Sequence, residues 1–412
     1  MGRRWLVVLA LVVGALAPVT TPLTPAAQAA PSRAIDLVRW ADGDSLATGT
    51  SAGTRVRGER VVLATPVATT TYDGRGYDVG RWTSPWVEPG FALTQLVASW
   101  AARTPGDSWI EVQVRGRAAD GRVASWDTLG RWASGDRYVE RTTASGQDDD
   151  LASVDVDTWK STGGLTSWQV RVALMRRTGA TTRAPSISSV GAVASRLPTS
   201  SVAVSAPGVV SRAGGLVLDV PRYSQMTHDG HYPQWGGGGE AWCSPTSTSM
   251  VLGYYDALPA PSTYAWVPDG HVDPWVDAAA RATYDHDYDG TGNWPFNTAY
   301  AAALTSDAYV TRLASLREAE RYVAAGIPLV ASISFGHGEL GGAPISASAG
   351  HLLVIVGFTA SGDVVVNDPA APDRAGVRRT YDRAELEDAW LPTSGGLVYV
   401  ITDDDHPVPA GL

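Results

Sequence analysis

The 412-residue chain has one cysteine, Cys243, and it stands directly before Ser244-Pro245-Thr246-Ser247. Proline at the start of a helix, followed by Met250, Val251, Leu252 and Tyr254, marks a helix entering a core, so the thiol is expected at a helix N-terminus. Unpaired N–H groups and the positive end of the helix dipole favour thiolate over thiol there, which makes such a cysteine a nucleophile near neutral pH. A thiolate also needs a proton partner. Among seven histidines, His351 is placed best, because Gly350-His351 opens the apolar run Leu352-Leu353-Val354-Ile355-Val356, and its imidazole can emerge at a sheet end. The run Val364-Val365-Val366 then delivers Asn367 and Asp368 ahead of Pro369, which stops a strand. An adjacent antiparallel strand would set the Asp368 carboxylate beside the imidazole, where it fixes the tautomer and steadies the imidazolium. The chemistry implied is acyl transfer through a Cys-His-Asp set. His337, between two glycines, is an alternative base on a flexible loop. His228, His231, His271, His286 and His406 have no matching strand and read as loop or surface residues.

The elements around these residues fall into two textures. From 34 to 197, short apolar strands with period two alternate with Gly, Asp and Ser turns: Ile110, Val112 and Val114 in one, Trp168, Val170, Val172 and Leu174 in another, and weaker versions at 91–100 and 154–159. With no convincing helix between them, an antiparallel β-sandwich is expected. Nine of the 16 Trp fall in this part, and they suit either core packing or a glycan-binding face. Asp148-Asp149-Asp150 reads as a solvated loop. Residues 198–215, rich in Pro, Ser, Ala and Gly, read as an interdomain linker. Beyond it, helices are expected at 245–258, 275–284, 295–304 and 316–325, and strands at 329–335, 351–358, 364–367 and 397–402. Helices leading strands in that order argue for an α+β domain with a mostly antiparallel sheet.

One acidic run competes for a metal. Asp285-His286-Asp287-Tyr288-Asp289-Gly290 matches the opening of an EF-hand calcium loop, but its twelfth position is Phe296 rather than the bidentate Glu, so a cleft-lining loop running on through Trp294 is the better reading. Trp294 and Trp242 would suit the walls of a peptide groove.

Three motifs carry a resemblance. Trp242-Cys243-Ser244-Pro245-Thr246-Ser247, Ser348-Ala349-Gly350-His351-Leu352-Leu353-Val354 and Val365-Val366-Asn367-Asp368-Pro369 resemble the nucleophile, histidine and aspartate motifs of the peptidase C39-like family of papain-like cysteine peptidases. Val220-Pro221-Arg222-Tyr223-Ser224-Gln225 is similar to that family's initial strand, whose Gln helps build the oxyanion hole. The resemblance spans roughly 215–404 and implies a papain-like domain, here bounded at 216–404, with Cys243, His351, Asp368 and Gln225 in those roles and no cofactor. Many members place the Gln close before the nucleophile, whereas residues 226–242 intervene here, so Gln234 competes with Gln225.

Composition sets the outer limits. Residues 1–29 read as a secretory signal, with Arg3 and Arg4 before an apolar stretch at 5–17 and Ala27-Gln28-Ala29 as the cleavage site, so a secreted protein is expected. Loss of those two arginines leaves 30 basic against 42 acidic residues, a formal net of −12, which disfavours nucleic acid and anionic lipid as partners. No later run approaches the roughly 20 apolar residues of a membrane span. A monomer acting on a peptide, protein or cell-wall peptide is expected, with a glycan contact through the first domain.

Overall fold

The computed structural model describes Gly2 and residues 33–198 and 203–412. The expected signal segment and the first part of the linker therefore lie outside the described residues. No helix among the described residues is long and apolar enough to cross a membrane.

Residues 34–196 form two antiparallel sheets. One is built around Leu93–Arg103 and its partner Ser186–Arg196, the other around Ser108–Arg117 and Ser167–Arg177. Along each, apolar side chains alternate inward, and the two inner faces meet where Trp40 of the first sheet lies edge-on to Trp82 and Trp168 of the second. Seven of the nine Trp in this half are buried. The two that reach solvent, Trp86 and Trp126, are capped by the guanidinium groups of Arg115, Arg117 and Arg171. A single-turn helix, Gly43–Ala47, departs from the all-strand expectation; Asp42 nucleates it by accepting from the Ser45 N–H at 2.7 Å. The strand expected at 154–159 is a hairpin instead, Ser153–Asp155 paired with Thr158–Leu165, and its turn holds Val156 at φ 53°. A β-branched residue rarely adopts that conformation, so period-two alternation could not reveal it.

The C-terminal half is α+β. Its sheet runs in the order Asp307–Arg312, Leu397–Thr402, Leu329–Phe335, Ser348–Thr359, Val364–Asn367, Arg378–Tyr381, all antiparallel, with Gly215–Val217 also paired to Ser348–Thr359. Helices Cys243–Tyr254, Pro274–Thr283, Trp294–Ala301 and Leu316–Ala324 stand within three residues of the expected boundaries, apart from the C-terminal end of the first. The linker is less open than its composition suggests. Val209–Arg212 is a helical turn with Val210 buried, and Glu320 accepts from the Gly208 and Ser211 N–H groups at 2.7 and 3.1 Å.

The two halves share one continuous apolar core within a single compact unit, 32–412. Phe296, at the head of the Trp294–Ala301 helix, is fully buried with Trp132 and Trp100 of the first half at centroid distances of 5.3 and 6.1 Å. Gly130 makes room for it, since a Cβ there would stand 3.2 Å from the Phe296 ring. Arg39 pairs with both oxygens of Asp307, and Arg281 with both of Asp136, across the same boundary.

Candidate active site

Cys243 is the first residue of its helix, with Trp242 at the cap position, and its side chain is partly exposed. Residues 244–252 that follow are all buried, so this is a core helix with a fixed orientation rather than an amphipathic one lying on the surface. Two hydroxyls pin it to the sheet: Ser247 donates to the Leu352 carbonyl at 3.1 Å, and Ser244 pairs with the Tyr399 hydroxyl at 2.9 Å. Trp242 is wholly buried and donates to the Trp235 carbonyl at 2.8 Å, so it packs behind the cysteine and does not wall a groove.

The register of the sheet explains the next pair. Val354 lies opposite Asn367 in the antiparallel ladder, which carries Asp368 to the level of Leu353, two residues from His351 on the same face. Such diagonal neighbours are within reach of long side chains. His351 Nε2 lies 2.8 Å from Asp368 Oδ1, which leaves the other ring nitrogen, Nδ1, free of the carboxylate. Asn367, on the opposite face, instead donates to the Val220 and Pro221 carbonyls. Burial alone would lower the His351 pKa, but the Asp368 charge and hydrogen bond, reinforced by Cys243, push it up to about 10. Burial would raise the Asp368 pKa, and His351, Tyr381 and the Ala370 N–H together hold it below the usual carboxylate value.

Tyr381 was not foreseen. Its hydroxyl donates to Asp368 Oδ2 at 2.7 Å, while burial and the neighbouring carboxylate keep the phenol protonated. The residue ends the short strand Arg378–Tyr381, and nothing in the local pattern distinguishes it from a core tyrosine. Tyr381→Phe is expected to lower stability by about 1–3 kcal/mol, because a buried carboxylate oxygen loses its donor. The same change should raise the Asp368 pKa and move the acid limb of a pH–rate profile upward, as urea denaturation and kinetics across pH would register.

Gln225 and Cys243 are separated by 17 residues, and the chain folds back to reunite them. The Gln225 amide donates to the carbonyl of Glu240, and its own N–H donates to Pro369 O at 2.9 Å. The return loop is tight because Gly239 lies against His228, where a Cβ would stand 1.9 Å from the carbonyl oxygen. Gln234 is exposed on a turn of that loop, and His337 is exposed beyond the Leu329–Phe335 strand. Cys243, His351 and Gln225 line one cleft of about 810 Å³; Gln234 and His337 do not.

Residues 217–398 match the Peptidase_C39 like family, and residues 36–195 match the Peptidase C39 N-terminal domain. By its C-terminal half, residues 217–398, the chain carries a domain of the peptidase C39-like family. No curated protein matches it significantly. The N-terminal domain of this C39-like protein also builds the cleft, since the hairpin turn of its sheet contributes Asp155, Val156, Asp157, Thr158 and Lys160 to the wall. Asp157 Oδ2 accepts from the Trp294 N–H at 3.0 Å, which joins the two halves at the rim, and burial pushes its pKa up to about 7. Sequence alternation hid this contribution because the turn looked like the middle of a strand.

The acidic loop of this C39-like chain is tied down by protein donors. Asp285 is buried and accepts from the Thr143 N–H at 3.0 Å and the Asn293 amide at 2.9 Å, Asp287 accepts from the Ser145 N–H, and Asp289 accepts from the Tyr284 hydroxyl. With Tyr288 to Gly292 and Trp294 lining the cleft, the run serves as a wall that also grips the N-terminal domain. Of the five histidines expected in loops or at the surface, His231, His271, His286 and His406 lie in loops or turns at least partly exposed, and His228 departs from the expectation. His228 is fully buried, and His228, His231 and His271 all converge on Asp277.

Proposed function

We propose that the chain is an exported cysteine peptidase, or close amide hydrolase, acting on peptide bonds of a protein or cell-wall peptide. The observation that carries this reading is the buried His351–Asp368 pair opening onto the same cleft as Cys243 at the head of a core helix. In the proposed reaction the Cys243 thiolate attacks the scissile carbonyl carbon. The oxyanion is held by the backbone N–H of Cys243, which has no partner within its helix, and by the Gln225 amide. His351 then gives its Nδ1 proton to the leaving amine as the C–N bond breaks, which leaves a thioester. Water attacks that thioester, His351 takes its proton, and the acid departs as the thiol reforms. Asp368 holds Nε2 throughout and Tyr381 holds Asp368. The cycle needs no cofactor.

Acidic groups dominate the cleft. Asp155, Asp289 and Glu240 face it as carboxylates, Asp157 lines it with a pKa pushed up to about 7, and Lys160, the one ammonium, is itself paired with Asp155. Peptides carrying basic side chains near the cleaved bond are therefore the favoured class. A digest of a peptide library by the purified chain should give cleavage that is lost in Cys243→Ala, with Lys or Arg enriched at the sites. A folded wild-type chain that cleaves nothing in the library would favour a non-catalytic wall-binding protein on the same scaffold.

A further inference from the structure

Four titratable side chains meet away from Cys243. Asp277, in the helix Pro274–Thr283, is fully buried, and its ion-pair partners among the described residues are all imidazoles. Its Oδ2 lies 3.1 Å from His228 Nδ1, and its Oδ1 lies 3.1 Å from His231 Nδ1 and 3.3 Å from His271 Nδ1. A buried carboxylate calls for compensating positive charge, and neutral imidazoles supply only dipoles.

The ligand atoms of His228, His231 and Asp277 lie within 4.8 Å of one another. Around a tetrahedral zinc ion with bonds of about 2.0–2.1 Å, neighbouring ligand atoms stand about 3.3 Å apart; each imidazole nitrogen already lies 3.1 Å from one Asp277 oxygen, His228 from Oδ2 and His231 from Oδ1, so seating the ion asks for a shift that brings both nitrogens around a single oxygen. The rings of His228 and His231 cross at 89°, an arrangement in which two in-plane lone pairs can converge. His271 instead stacks on His231, 3.6 Å between centroids at 18°, which covers the cluster from solvent. We propose that His228, His231 and Asp277 bind a zinc-class divalent cation, with water at the fourth position and His271 as the cover. Imidazole with carboxylate is a donor set suited to zinc.

The ion would act as a staple. His228 closes the short turn that begins at Gln225, and Gly239 packs on its carbonyl, so the site fastens both arms of the loop between Gln225 and Cys243. With a single cysteine, an internal disulfide cannot do this. The inference stands whether or not Cys243 is catalytic.

The test uses the full chain carrying Cys243→Ala, so that the cleft thiol cannot compete, stripped with EDTA and then titrated with zinc by calorimetry. One equivalent should bind with micromolar affinity or better and raise Tm, and cobalt in its place should show the visible bands of a four-coordinate site. Loss of a ligand should cost more than the 10–100-fold typical of outer partners. His231→Ala, at a side chain 20% exposed, should therefore weaken zinc by more than about 100-fold, and His271→Ala, which removes an outer partner of Asp277, by about 10–100-fold. Absence of one-to-one binding at 100 equivalents of zinc, absence of the cobalt bands, or undiminished affinity in a folded His231→Ala chain would each overturn the proposal. So would a metal-independent gain in Tm on acidification to pH 6, which would assign the positive charge to a protonated imidazole.

Discussion

Cys243→Ala is expected to reduce peptide hydrolysis by roughly 10⁴-fold or more, because removing the nucleophile of a covalent mechanism removes the reaction path itself. His351→Ala should fall in the same range, and the double variant should be little worse than either single one, since the two act as a unit. Iodoacetamide should alkylate Cys243 in the folded chain, more slowly once His351 is gone. The pH dependence follows from the direction of the His351 shift. Its pKa is raised above that of a free imidazole, to about 10, so the imidazolium persists through neutral pH and is lost only on the alkaline side. Activity that needs this proton for the leaving amine should hold through pH 7–9 and fall as pH approaches 10. The same linkage makes the His351 contribution to stability complete below the unfolded value of 6.5, and it is lost as pH rises through the folded value. Asp368→Asn should be milder than Asp368→Ala, because an amide oxygen still accepts from the ring nitrogen. A cysteine that alkylates only after denaturation, with activity unchanged in Cys243→Ala, would remove the mechanism.

How much of this was legible depended on whether the signal was local. The strands 329–335, 364–367 and 397–402 stand at their expected limits because continuous apolar runs bounded by turn residues are local. The placement of Cys243 and Asp368 was legible for the same reason, each sitting at the end of a strongly patterned element, whereas the strand of His351 begins three residues before it, at Ser348, because Ser348-Ala349-Gly350 carries no continuous apolar signal. Tyr381 was not, because its role arises only when strand 378–381 is added beside strand 364–367. The convergence of His228, His231 and His271 on Asp277 joins two separate segments to a helix and has no sequence period. The part played by Val156 and Asp157 was masked by alternation on both sides of a strained turn. Domain texture showed where the composition changes at 198–215 but not that the two halves share a core, since Phe296 reads as an ordinary helix residue until Trp100 and Trp132 close around it.

That shared core makes Phe296→Ala the most informative change outside the cleft. The ring is fully buried between the halves, and deleting it removes a large apolar surface and leaves a cavity against Trp100 and Trp132, a loss of about 3–5 kcal/mol. The ion pairs across the same boundary are partly exposed and supply little to offset it. If the apolar boundary couples the halves, wild-type protein should melt in one transition followed alike by calorimetry and Trp fluorescence, and Phe296→Ala should lower that transition as a whole, by about 4–6 °C. Arg39→Ala should shift it far less. Peptide hydrolysis should drop along with stability, because the Trp294 N–H that holds Asp157 lies two residues from the deleted ring and sets the wall contributed by the N-terminal domain. Two separate transitions in the wild type, only one of which moves in Phe296→Ala, would mean that the sandwich folds on its own and that its hairpin merely rests against the cleft.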